Sequence, residues 1–308
     1  NAKRTHALAE ESLAIYQELG DQSGIAYSNY LRCALVTDQA EREARLLECL
    51  TLFRAIDDKL GFSDVLTNWF FIAGALENYE QAKAYFEEGE SINRELGHIA
   101  GVANMLNVFG QLVAQHGEYH LAQLKLMESL KIFESLGLKD NSDILCNLGT
   151  LYYRMGDYPK GIAYFQESLS VCRQAGNTFN SYWSLVFLGY VFLRMGEIGQ
   201  AYRVFVKSLQ QFKEADGING VVYALEGLAS LAVKEAQAER AVCLFAWADK
   251  TRKSIQNPRP HIEQEDVDRD IVTILEMIDE EAYAVAHAEG EMRTMEQAIA
   301  CALAVEFS

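Results

Sequence analysis

The sequence predicts an all-α protein built as a solenoid of stacked helical hairpins, and three observations carry that expectation. First, a small residue on one apolar helical stretch is followed twelve positions later by another small residue, and sixteen later by a bulky apolar one. Gly149, Gly161 and Phe165 define this frame, which recurs at Gly110, Ala122 and Leu126 and at Gly189, Ala201 and Phe205. It is looser at Phe70, Ala82 and Phe86, and at Ala229, Ala241 and Phe245. Second, the steps between successive frames are 40, 39, 40 and 40 residues, a period that marks stacked repeats. Third, glycines punctuate at the same interval. Gly117, Gly156 and Gly196 fall in the turns within hairpins, and Gly97, Gly137, Gly176 and Gly217 close second helices. A left-handed backbone at such turns favours glycine.

The elements follow in order. Residues 2–19 are helical and stop at Gly20, a natural C′ residue. They read as the second helix of a hairpin, so the chain is expected to begin mid-repeat, as a fragment of something longer. Residues 22–56 keep helical periodicity but place Arg42 where a small residue belongs, which makes that unit degenerate. Five better units are expected at 62–96, 99–136, 142–175, 179–215 and 219–255. Small residues let the two helices approach closely, and Phe86, Phe165, Phe205 and Phe245 fill the space beside them. One hairpin cannot bury its apolar face alone, so stacking supplies the core. The solenoid is assigned to residues 1–256. Asn257-Pro258-Arg259-Pro260 then breaks the helix, and 257–308 reads as an acidic helical cap over the end of the stack. Helices are expected at about 263–278 and 280–288. A last one, to about 304, opens with the capping box Thr294-Met295-Glu296-Gln297.

Composition narrows the role. Half of the 308 residues are hydrophobic, so the chain has ample material for a core. Net charge is −17, of which residues 257–308 hold −10 from 13 acidic and 3 basic side chains. So acidic a surface repels phosphate backbones, and direct nucleic-acid contact is not expected. Six scattered cysteines with no CxxC pair read as small buried hydrophobes in a reducing, cytoplasmic setting. The uncharged run Ile99 to Gly117 includes Asn104, Asn107, Gln111, Gln115 and His116, which are costly in lipid. It reads as a solenoid helix, and no membrane partner is expected.

The small-residue and aromatic frame resembles the tetratricopeptide repeat, whose usual unit is about 34 residues. The surplus here lengthens both helices, the family's Trp position is not kept, and the closing Pro is absent. That resemblance implies a right-handed superhelix of hairpins whose first helices line a concave face. The C-terminal part carries Leu244-Phe245-Ala246-Trp247-Ala248, then Pro258 and Pro260, then Asp279-Glu280-Glu281-Ala282-Tyr283, Ala286-His287-Ala288-Glu289-Gly290 and Met295-Glu296-Gln297-Ala298-Ile299. It resembles the end of the repeat arm in bacterial STAND-type signal-transduction ATPases, including LuxR-type and SARP-type transcription regulators. His287 stands where that family often has an aromatic, and Glu291 where it often has Arg. The resemblance implies a sensor arm for an inducer or partner, joined to an upstream ATPase module. A free-standing adaptor for partner peptides is the alternative.

No phosphate loop, dinucleotide fingerprint, HExxH or GxSxG is present, so neither catalysis nor a cofactor is expected. His116 and His120 flank Gly117 at a turn and do not share a helical face, so no metal site is assigned. The carboxylates of the tail read as a solvated face. The candidate ligand or partner groove comes from inner positions of the first helices, at spacings of three and four. These are Asn104, Asn107 and Gln111 (with Gln115); Asp143, Thr150, Tyr153 and Arg154 (with Cys146); Trp183, Tyr190 and Arg194 (with Val186); and Tyr223, Glu226, Ser230 and Lys234. Asp64, Thr67, Phe71 and Gly74 occupy the same positions one unit earlier. Arg154, Arg194 and Lys234 form a ladder at 40-residue steps. It suits an anionic protein, peptide or small-molecule inducer flanked by stacking aromatics. The competing reading is that each cation merely complements its own helix terminus.

Overall fold

The structure is a computed structural model that describes residues 2–33, 35–36, 39–73, 79–176, 179–255 and 257–304. Among the described residues every regular element is an α-helix: α1 (Ala2–Leu19), α2 (Gln22–Cys33), α3 (Gln39–Ala55), α4 (Lys59–Ala73), α5 (Tyr79–Glu95), α6 (Ile99–Gln115), α7 (Tyr119–Ser135) and α8 (Ser142–Arg154). Then come α9 (Tyr158–Ala175), α10 (Phe179–Met195), α11 (Ile198–Glu214), α12 (Ile218–Lys234), α13 (Ala238–Ser254), α14 (His261–Met277), α15 (Glu280–Met292) and α16 (Met295–Leu303). The chain falls into two compact units, Asn1–Gly137 and Leu138–Ser308. Each is an all-α stack of antiparallel hairpins of the tetratricopeptide type. In α6–α7, α10–α11 and α12–α13 both helices are 17 residues long, so the surplus over the 34-residue unit does lengthen the helices.

The repeating frame is a steric device. A Cβ added to Gly149 would lie 2.6 Å from the Phe165 ring, and one on Gly189 would lie 2.6 Å from Phe205. Phe86, Phe165, Phe205 and Phe245 are all fully buried. Each ring therefore occupies the volume that the opposing helix leaves by carrying glycine or alanine, which is how interiors reach close packing. Buried serines add a second periodic feature. Ser129 Oγ donates to the Ala103 carbonyl and Ser168 Oγ to the Ser142 carbonyl, each at 2.7 Å, so these buried hydroxyls are satisfied.

The turns follow the glycine pattern where glycine is present: Gly117, Gly156 and Gly196 have φ of 81°, 77° and 77°. The equivalent position after α12 is Ala236, which takes the same left-handed conformation at φ 55°. Gly217 departs from expectation. It caps the N-terminus of α12 at φ −87°, and Asp216, at φ 53°, is the left-handed residue. The tail helices appear where periodicity places them, α15 running a turn beyond the expected 288. Thr294 and Gln297 form the reciprocal capping box of α16. α15 and α16 pack on α13. Cys33, Cys49, Cys146, Cys172 and Cys243 are buried thiols, and Cys301 is half-buried. Among the described residues no helix is long and apolar enough to cross a membrane.

Candidate functional site

In the second unit the first helices of three consecutive hairpins, α8, α10 and α12, carry Arg154, Arg194 and Lys234 in their last turns. Two of these cations are met from within the chain, where α14 presents a carboxylate to each of the two. Glu263 Oε1 accepts from Arg154 Nη2 at 2.7 Å and from Nε at 3.3 Å, with both side chains about 95 % buried. Asp266 accepts from Arg194 Nη2, its Oδ2 lying at 2.6 Å. Asp270 accepts from the Ser230 hydroxyl and feels the charge of Lys234. Steps of three and four residues place 263, 266 and 270 on one helical face. Val267 and Ile274 of that face join the core cluster containing Tyr153, Tyr190 and Tyr223. A tail expected to be solvated thus seats an acidic face on the first helices, because the opposing cations and a buried apolar strip are both there to receive it.

The seat has an anchor. Glu226, also a sequence candidate, is buried on α12 and takes Arg252 of α13 through two 2.7 Å bonds, Nε to Oε1 and Nη2 to Oε2. Arg259 donates to the same carboxylate at 2.6 Å and to Asp249 at 2.6 Å. Arg252 also holds the Asn257 carbonyl at 3.1 Å, and its guanidinium lies 4.4 Å above the Tyr223 ring. The Pro258–Pro260 segment is thereby clamped just before α14 starts. Burial works against the Glu226 charge, but the two guanidinium groups outweigh it and hold the carboxyl below its ordinary value. At Arg154 the balance is similar. Burial opposes the charge, and Glu263 more than restores it. At Asp270 burial dominates, and the carboxyl is pushed up despite Ser230 and Lys234.

The aromatic candidates lie beneath this charged layer. Tyr153, Tyr190 and Tyr223 are buried, with the Tyr190 hydroxyl donating to the Tyr223 carbonyl at 2.8 Å. Burial pushes the Tyr153 hydroxyl up to about 12, against the pull of Arg194. Trp183 is half-buried and meets Tyr223 edge-on at 5.4 Å. These rings therefore form a floor rather than free stacking platforms. Thr150 is turned to its own helix, donating to the Cys146 carbonyl at 3.0 Å, and Asp143 is half-buried. Lys234 is exposed and Arg194 partly so.

In the first unit the amide row lies on α6. Asn104 is exposed, Asn107 buried, and Gln111 and Gln115 half-buried. Half-buried Asp64 has its carboxyl raised mainly by burial, with His98 pulling the other way. The side chains of Thr67 and Phe71, and Gly74, lie outside the described residues. His116 stacks on Tyr79 at 4.2 Å while Nδ1 contacts the Leu112 carbonyl at 3.1 Å. No group of three metal-ligating side chains occurs among the described residues.

Residues that sequence reading missed are Glu263, Asp266 and Asp270, together with Arg252, Arg259 and Asp249. The 263, 266, 270 spacing was itself a signal, since it puts three acids on one helical face. What it lacked was any indication of an opposing surface.

Two comparisons place this architecture among known proteins. Residues 140–201 match one tetratricopeptide-repeat family model, and residues 72–96 match another. No curated protein matches the chain. The crystal structure of BtubC (BKLC) from P. vanneervenii superposes with a TM-score of 0.55 at 18 % identity, covering 70 % of this chain and 93 % of that one. At that identity the likeness concerns the fold.

Proposed function

We propose that this tetratricopeptide-repeat chain is a non-enzymatic regulatory arm that recognises a protein or peptide on the face formed by α8, α10 and α12. The observation that supports this reading most directly is the seating of α14 there through the Arg154–Glu263 and Arg194–Asp266 pairs. A surface that holds one helix by charge-assisted bonds has the recognition chemistry for another. The finer reading is the sensor arm of a bacterial STAND-type ATPase or transcription regulator, working in the cytoplasm. There, partner or inducer binding shifts the arm between inhibiting and permissive arrangements. The motifs of residues 244–299 support it by resemblance. A free-standing adaptor uses the same face without nucleotide.

The test uses the protein at its native length, with and without Arg194→Glu. The sensor reading expects nucleotide hydrolysis that responds to partner or inducer in wild type and not in the variant. The adaptor reading expects partner binding that Arg194→Glu weakens whether or not nucleotide is present. A folded variant that leaves both partner binding and nucleotide turnover unchanged removes this face from the function.

A further inference from the structure

The seat of α14 specifies what the face accepts. Three features set it apart from an ordinary packed helix. Its polar half is complementary at two positions, with Glu263 opposite Arg154 and Asp266 opposite Arg194. Its docking is incomplete: Glu263 Oε2 is buried without a hydrogen-bond partner among the described residues, whereas both Glu226 oxygens are taken. Val272, Leu275 and Met277 of the same helix remain exposed. A buried carboxylate oxygen left unpaired weakens the docked state, and apolar side chains still facing water add nothing to it.

The segments on either side of α14 are held by contacts of their own. The segment before it is pinned separately, by Arg259 on Glu226 and Asp249 and by Asn257 on Asn219. The segment after it opens α15 with its own cap, Asp279 accepting from the Ala282 amide at 2.8 Å. α15 and α16 hold to α13 independently.

We infer that the α8–α10–α12 face is a receptor for an acidic amphipathic helix with carboxylates at i and i+3, and that α14 is its tethered occupant, displaced when such a partner helix binds. This rests on the proposal that the face binds partners, and adds the chemistry of the occupant. Tethering gives α14 a high effective concentration, so the face admits only a partner that matches the pattern or arrives in excess.

The probe is a labelled peptide of residues 261–277 titrated against the full chain. Wild type is compared with the double variant Glu263→Gln, Asp266→Asn, whose own α14 is uncharged at the two paired positions. The variant is expected to bind the peptide at least tenfold more tightly than wild type. Adding Arg194→Glu should abolish that gain, and so should amidating the Glu263 and Asp266 carboxylates of the peptide. A variant with intact helical circular dichroism that binds the peptide no better than wild type overturns the inference. Hydrogen exchange of wild type gives a second measurement that needs no variant. α14 amides are expected to exchange faster than those of α12 and α13, through an opening that spares both. Exchange of α14 only together with α12 and α13 makes it a fixed strut and overturns the inference. Either overturning result leaves the partner-binding proposal standing on its own Arg194→Glu test.

Discussion

In Asn1–Gly137 the described ion pairs between repeats have exposed or half-buried side chains. Arg54 meets Glu88 at 2.7 Å and Arg94 meets Glu128 at 2.9 Å, each pair 34 residues apart, and Lys59 meets Glu95 at 2.6 Å. In Leu138–Ser308 the decisive pairs are interior. Arg154–Glu263 and the Glu226–Arg252–Arg259 cluster have side chains 5 % exposed or less, and the first joins residues 109 positions apart. One repeat frame thus supports two electrostatic regimes. Exposed pairs are screened by water and contribute little. Buried ones are strongly coupled because removing a partner strands a charge in low dielectric. The first unit spreads its charges over many weak links, and the second concentrates them where one change reaches the seat of a whole helix.

The largest expected effect comes from Glu226→Gln, which leaves Arg252 and Arg259 buried around a neutral amide. It should destabilise the second unit by about 3–5 kcal/mol. Native-state hydrogen exchange should show α12–α14 losing protection while α5–α7 keep theirs. A loss below about 1 kcal/mol would erase the contrast between the units, since that is the range of an exposed pair. Acidification reads the same cluster. The folded-state value of Glu226 is depressed, so its stabilisation is complete above the unfolded value and is lost as pH falls towards the folded one. Asp270 has the opposite sign. Its raised value makes ionisation a cost, relieved as pH falls through that value. Exchange measured stepwise from pH 7 downward, corrected for intrinsic rates, should therefore show α14 holding or tightening first and α12–α13 loosening at lower pH.

A smaller effect separates the turns. Ala236 is left-handed where earlier repeats have glycine, so Ala236→Gly should raise stability by about 1 kcal/mol and Gly156→Ala should lower it by about the same. Opposite shifts in urea midpoint check this, and shifts of the same sign would refute a common turn geometry. Smallest is Arg94→Ala in the first unit. Its half-exposed guanidinium links Glu90 and Glu128, and its loss should cost no more than about 0.5 kcal/mol. A change above 1 kcal/mol would show that the surface ladder behaves as a network.

Much of the fold was legible because its cause is local. The twelve- and sixteen-residue offsets from Gly149 identified Gly161 and Phe165 as one packed layer, and the added-Cβ clash of 2.6 Å explains why glycine is required there. The Thr294–Gln297 capping box was equally legible, because both halves of its hydrogen-bond exchange lie within four residues. The site was half legible. Spacing brought Arg154, Arg194 and Lys234 into a ladder and put Tyr153, Tyr190 and Tyr223 beside it. It assigned the tyrosines to an accessible wall, whereas they are buried under α14 and Arg252. The two roles weighed for Arg154, ligand binding and helix-end capping, omitted the one it has, pairing with the chain's own Glu263.

The amino-acid order alone determined the helices, their stops, the glycine–aromatic layers and the forty-residue stacking, because each follows from periodicity or from contacts a few residues long. Tertiary structure decided which charges are buried and what lies over the ladder. Those depend on α14 returning across 109 residues to meet Arg154, and no local pattern encodes the surface an acidic helix will find. The apolar strip of Val267 and Ile274, the clamped Pro258–Pro260 segment and the waiting cations settle that placement together.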